Sequence, residues 1–253
     1  MILTILVGNT NTRLAWWQKE RLRRHKIVPT TTFRNMVKDY RDRSWEKQPL
    51  FRRERLAGTA IASVVPALTR DVYNYFSLLT PTVLVSARTP VPLRIRYNRT
   101  LLGTDRLCAA VGGYLRYARD LVILDFGTAI TVNIVHREGV FLGGPIIPGI
   151  QMMLSALKEQ TAQLPAVRFS PAVNPLVQKT TTAIQSGVCH LVTGGLNRII
   201  TLIARRTKRE YFIVATGGGA RTLHRHLPFN KIDPHIASFG LAKLFYFNRR
   251  KNE

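Results

Sequence analysis

The run Leu121-Val-Ile-Leu-Asp125-Phe-Gly-Thr-Ala-Ile-Thr-Val-Asn-Ile-Val135 constrains this chain more than any other stretch. Four apolar residues lead into Asp125, Gly127 and Thr128 permit a tight bend, and a β-rich run returns through Thr131 to Val135. The pattern predicts a hairpin with a carboxylate at the end of its first strand. A Gly-Thr bend lets main-chain N–H groups and a hydroxyl approach a phosphate, while the carboxylate can hold a cation nearby. The same residues also suit an ordinary core hairpin whose Asp caps the turn. Asp-Phe-Gly occurs in protein kinases too, but the chain has no glycine-rich loop with Val-Ala-Ile-Lys and no His-Arg-Asp, which excludes that reading.

A second hairpin of the same kind opens the chain. Ile2–Val7 is an apolar strand, Gly8-Asn9-Thr10-Asn11 a bend, and Thr12–Trp17 the return strand. A third piece, Ile213-Val-Ala-Thr216-Gly-Gly-Gly219, reads as a strand feeding a glycine turn before a helix, where backbone can approach a nucleotide. Two such hairpins, one opening each half, resemble the layout of the actin-like ATPase and sugar-kinase superfamily. That resemblance implies an α/β fold of two ribonuclease-H-like halves, each a mixed β-sheet flanked by helices, here residues 1–118 and 119–253.

Composition narrows the function classes. Thirty-eight basic against fourteen acidic side chains give a net charge of +24. Such a balance suits a polyanion partner or an anionic substrate. The basic residues are scattered, however, and no aromatic-interleaved RNA motif or helix-turn-helix accompanies them, so specific nucleic-acid binding is not expected. No signal peptide and no apolar run of membrane-spanning length is read, and Cys108 and Cys189 lack metal-like spacing. The expectation is a cytoplasmic protein with two reduced core thiols and no membrane partner.

Between the hairpins, Lys26–Val28 is expected as a third strand and Phe33–Tyr40 as a helix capped by Thr30 or Thr31. Ser44–Arg55 reads as a polar connector. Leu56–Val65 reads as a buried strand, Pro66 opens a helix to about Leu79, Thr82–Val85 is a short strand, and Pro90–Leu102 is extended. Gly103-Thr104-Asp105-Arg106 opens a helix along Leu107, Ala110, Val111 and Tyr114. Asp105 there is either an N-terminal cap or a base that takes a hydroxyl proton. Arg106 can hold a carboxylate or phosphate by its planar fork. Further on, Val140–Ile147 is expected as one strand, Gln151–Lys158 as a helix and Pro165–Pro175 as a loop. Thr181–Arg206 is the longest amphipathic helix and His235–Phe247 the last.

Taken together, the chain resembles the type III pantothenate kinase family nearly end to end. The resemblance is carried by Gly8-Asn-Thr-Asn-Thr12, Ser63-Val-Val-Pro66, Gly103-x-Asp-Arg106, Asp125-Phe-Gly-Thr-Ala129 and Gly143-Gly-x-Ile-x-Pro-Gly149. It continues through Thr161-Ala-x-Leu-Pro165, Thr180 with Gln185-Ser-Gly187, Ala215-Thr-Gly-Gly218 and Gly240-Leu241. It implies ATP-dependent phosphorylation of pantothenate, the first step toward coenzyme A, with Mg²⁺ and a monovalent cation, K⁺ or NH₄⁺. It also implies a homodimer with a shared active site. By the same resemblance, Gly8, Asn9, Thr10, Asn11, Thr12 and Thr128 line the ATP phosphates, with Gly217 and Gly218 at the adenosine. Asp105 is the catalytic base, Tyr97, Gly103, Thr104 and Arg106 shape the substrate site, Asp125 binds the monovalent cation, and Thr180 reaches pantothenate from the partner subunit.

Several positions depart from the family pattern. The first strand of the family ends in an Asp that handles the nucleotide-bound metal two residues before the glycine; here that residue is Leu6. A leucine binds no hard cation. Lys179 replaces an Asn before Thr180, Ile130 replaces a Thr, and the Pro after the Tyr97 region is absent. These changes fit a kinase with altered metal handling. They also fit a catalytically impaired relative that acts as a regulatory or binding protein with a strongly basic surface.

Overall fold

The computed structural model describes residues 1–38, 56–172 and 174–249. They divide into two compact units. One is built on residues 1–117, 139–141 and the segment from His235, the other on residues 118–138 and 142–234.

In the first unit β1 (Ile2–Val7) pairs antiparallel with β2 (Asn11–Gln18), and β2 with β3 (Arg21–Pro29). On its other side β1 runs parallel to β4 (Gly58–Ser63), which runs parallel to β5 (Thr82–Leu84). β1 is therefore central, covered on both faces and buried at every residue, which explains its continuous rather than alternating apolar character. Leu3, Ile5 and Val7 pack with Phe33 and Val37 of α1 (Thr30–Lys38) and with Leu68, Val72 and Phe76 of α2 (Pro66–Ser77). Pro66 starts α2 as expected, where its missing N–H has no partner to lose.

Ile2, Thr4 and Leu6 alternate to the opposite face. There Trp17, the cross-strand partner of Ile2, meets Phe239 edge to face at 5.7 Å, and Phe245 lies against Gly58. α3 (Thr104–Tyr117) joins this face by touching the C-terminal helix through glycines. A Cβ on Gly112 would stand 2.0 Å from Ile236 O, and one on Gly240 1.9 Å from Cys108 O. The two helices meet main chain against main chain. Cys108, wholly buried at this contact, has its thiol pKa pushed up by desolvation.

A short strand β6 (Arg94–Ile95) also belongs to this unit and pairs with Val140 and Phe141. In the second unit β7 (Leu121–Phe126) is central, between antiparallel β8 (Ala129–His136) and parallel β11 (Phe212–Gly217). β9 (Val140–Gly143) follows β8, β10 (Ile146–Pro148) pairs with the start of β8, and β12 (Lys231–Ile232) flanks β11. The order β8-β7-β11-β12 repeats β2-β1-β4-β5 of the first unit. The core gathers Val122, Leu124, Val132 and Ala215 with Leu154 of α4 (Ile150–Glu159) and Ile184, Val188, Val192 and Leu196 of α5 (Thr180–Thr207).

Five expectations change. The run Val140–Ile147 is two strands, because Gly143 and Gly144 take φ of +88° and +144° and a Cβ at Gly144 would strike Val132 O. Thr216-Gly-Gly-Gly219 leads into successive turns rather than a helix. Its bonds run three residues apart, Ala220 N to Gly217 O and Thr222 N to Gly219 O, as a triple glycine is too costly in entropy to start a helix. The final helix α6 (Ile236–Arg249), assigned by sequence to the second half, belongs to the first unit because Gly240 fits against α3. β3 begins at Arg21 rather than Lys26, carried back by a turn with Lys19 in the left-handed region, and its charges suit an edge strand. Finally, α5 is long and apolar enough to cross a membrane by length and composition, a run the sequence reading did not find. The Asp39–Tyr40 helix end and the Ser44–Arg55 connector lie outside the described residues.

Substituting Gly240→Ala drives a methyl into Cys108 O and must push α6 off α3. The expected loss is about 3 kcal/mol or more, read as a lower midpoint in urea unfolding.

Candidate active site

β1 ends at Val7, and the chain bends through Gly8 to Asn11. Gly8 N–H donates to Asn11 O at 3.1 Å, and a Cβ on Gly8 would stand 2.8 Å from that oxygen, so the bend requires glycine. Thr30, at the start of α1, locks the bend from behind. Its hydroxyl donates to Gly8 O at 2.7 Å, and its amide donates to Thr10 O at 2.9 Å. The Thr12 hydroxyl is wholly buried and hydrogen-bonds the Thr30 hydroxyl, so Thr12 supports the bend while Asn9, Thr10 and Asn11 form its exposed rim.

At the neighbouring end of β4, Ser63 O accepts the Thr104 hydroxyl at 2.9 Å and so anchors the start of α3. Asp105 Oδ1 accepts the Arg106 N–H at 2.8 Å, and a Cβ on Gly103 would stand 2.5 Å from the same oxygen. Asp105 thus caps the helix while remaining half-buried. Arg106 is only 4% exposed. Its guanidinium carbon lies 5.4 Å from the Tyr97 ring centre and 6.0 Å from that of Phe141. Burial lowers its pKa, while Tyr97 and Asp105 act the other way. A cation stacked on aromatic faces beside a carboxylate offers a planar fork to an anion and an acceptor to a hydroxyl. Sequence reasoning had Tyr97 but missed Phe141, which reaches the site only through the pairing of Ile95 with Phe141.

The second unit builds its own bend. Gly127 N–H donates to Ala129 O, and Gly149 packs so tightly on Thr128 O that a Cβ there would sit 2.2 Å away. Gly127 and Thr128 are exposed, and Asp125 is half-buried beside Gly217, whose Cβ would stand 2.5 Å from Asp125 Oδ1 and from Phe126 O. Gly218 is clear of neighbours. Thr180 is the exposed first residue of α5, and Lys179 at its N-cap makes no side-chain cap bond. Gln185 and Ser186 pin the preceding loop through Arg168 O and Asn174 O. Asp120, His136 and Glu138 bring metal-type donors within 4.8 Å of one another, but Arg209 Nη1 already bridges both carboxylates at 2.9 and 3.0 Å. That cluster is an ion-pair network.

The sequence profile of the type III pantothenate kinase family matches residues 2–202, spanning both hairpins, the start of α3 and most of α5. A type III pantothenate kinase of Anaeromyxobacter sp. (strain K) is 32% identical over 98% of this chain and 100% of its own length. The chain belongs to the type III pantothenate kinase family. Among solved structures, a Campylobacter jejuni protein described as a candidate Baf family transcriptional activator has the same fold, with a TM-score of 0.62 at 20% identity over 98% and 99% of the two chains. A Listeria monocytogenes protein described as a candidate N-acetylmannosamine kinase also shares it, at a TM-score of 0.53 and 9% identity over 98% and 99%. The shared fold is one of two β-sheets flanked by helices.

In this pantothenate kinase family member, the buried Arg106 charge carries a desolvation cost. Arg106→Met keeps similar volume without the charge. Its unfolding free energy should be unchanged or about 1 kcal/mol higher by urea titration, while pantothenate affinity by calorimetry falls about tenfold or more.

Proposed function

We propose that this chain transfers the γ-phosphoryl group of ATP to pantothenate, giving 4′-phosphopantothenate, as a cytoplasmic homodimer. The observation that carries the reading is the family match joined to Asp105 and Arg106, held side by side at the anchored start of α3. Asp105 takes the proton of the substrate hydroxyl as its oxygen bonds to the γ-phosphorus and the bond to the ADP oxygen breaks. Arg106, stacked on Tyr97, holds the pantothenate carboxylate, and Gly103 and Thr104 shape the space around it. The Gly8–Asn11 rim and Thr128 offer N–H and hydroxyl donors to the phosphates, and Gly217 and Gly218 leave backbone open to the adenosine.

A monovalent cation fits the second unit. Gly217 leaves a cradle beside the Asp125 carboxylate and Phe126 O that a side chain would fill, and these are oxygen donors of the right kind. When bound there, K⁺ or NH₄⁺ supplies positive charge beside the nucleotide. Mg²⁺ fits the first bend poorly. Leu6, which flanks it, is buried and apolar, and residues 2–18 contain no Asp or Glu.

α5 supports the dimer. Ile184, Val188, Val192 and Leu196 face its own unit, while Leu191 is 65% exposed and Gly187 and Gly194 face open space. An apolar surface with glycines lets a second copy approach closely and would bring in the Thr180 of the partner.

A coupled assay of ADP release tests the reaction. Turnover should require pantothenate, and Asp105→Asn should lower kcat about 10²–10⁴-fold. The fold survives because Asn also accepts the Arg106 N–H. Unchanged turnover returns Asp105 to capping alone. Light scattering should show a dimer at micromolar concentration, and Leu191→Glu should split it and remove activity together. A monomer with full turnover contradicts the shared site.

A further inference from the structure

Arg13 faces Leu6 directly across β1 and β2. Opposed residues of an antiparallel pair project from the same face of the sheet, so Arg13 shares its face with an apolar residue, Leu6, rather than with a carboxylate. That face is the one α3 and α6 cover, since Trp17 on it meets Phe239 and the parallel neighbour strand ends at Ser63, which anchors Thr104. Arg13 lies two residues beyond the exposed rim of the bend. It is half-buried, and its side chain makes no hydrogen bond or ion pair among the described residues. A partly desolvated guanidinium without a carboxylate is unfavourable unless an anion joins it.

We propose that Arg13 neutralises the phosphate chain at the Gly8–Asn11 bend, in place of a divalent metal, so that this protein takes up a polyphosphate without Mg²⁺. The inference rests on the reading that this bend receives the phosphates of ATP. Its chemistry is consistent on both strands. A guanidinium fork gives two parallel N–H donors to phosphate oxygens, while leucine at residue 6 removes the group that would hold a hydrated metal and would also pair with Arg13. The two positions act as one unit, an arginine with no competing carboxylate opposite it.

Calorimetry on the full chain tests it, with tripolyphosphate and ATP as probes, each in EDTA and in excess Mg²⁺. The natural protein should bind the metal-free probes at least as tightly as their Mg²⁺ complexes. Arg13→Gln should weaken metal-free binding about tenfold to a hundredfold, and Arg13→Lys, which keeps charge but loses the fork, by less. Leu6→Asp, placing a carboxylate against Arg13, should weaken metal-free binding and shift preference toward the Mg²⁺ complex even if Arg13→Gln folds poorly. Binding that needs Mg²⁺ in the natural protein, or metal-free binding indifferent to both positions, overturns the proposal. So does failure to bind any polyphosphate. Metal-free binding lost in Arg13→Gln, with no pantothenate-dependent turnover in the natural protein, would leave Arg13 in this role and sink the pantothenate kinase activity. Turnover with strictly Mg²⁺-dependent binding would do the reverse.

Discussion

The placement of Asp105 and Arg106 depends on the contact of two helices without side chains between them. Gly112 and Gly240 let α3 and α6 touch backbone to backbone, and the Thr104 hydroxyl then ties the start of α3 to the end of β4. With both ends of α3 held, a half-buried carboxylate and a buried guanidinium stay at the edge of the sheet. Burial of Arg106 carries a desolvation cost, set against the rings of Tyr97 and Phe141 and the neighbouring Asp105 carboxylate.

The two bends are built by one device used twice. In each, a central strand buried on both faces ends in a bend whose backbone is fixed by a residue from elsewhere, although only Gly8, and not Gly127, lacks room for a Cβ. Thr30 does this for Gly8, and Gly149 packs on Thr128. The hydrogen-bonded order of four strands is also the same in the two units. The difference is chemical. Next to its last residue the second central strand carries Asp125, and the first carries Leu6 with Arg13 opposite.

The wide excess of basic residues is consistent with this chemistry without requiring a nucleic acid. Several lie on β3, an edge strand whose charges keep it from pairing with other chains. Others end α5, where Arg205 and Arg206 oppose the negative pole of the helix. An overall positive field also raises the local concentration of ATP and pantothenate, both anions.

Much of the architecture was legible in the residues. Continuous apolar runs into Gly-Thr and Gly-Asn bends name central strands and tight turns, because only a strand covered on both faces is apolar throughout. Asp125 was visible as a polar residue near the end of such a run, and Asp105 and Arg106 as a polar pair opening a helix. Four things were decided by tertiary structure alone. Val140–Ile147 broke at Gly143–Gly144 because Val132 O leaves no room for a straight strand. α6 joined the first unit through a packing of glycines that no local pattern announces. Phe141 reached Arg106, and Arg13 came to face Leu6, only through strand register. Register joins residues distant in sequence, or on the two arms of a bend, and no single-chain periodicity encodes which side chains will share a face.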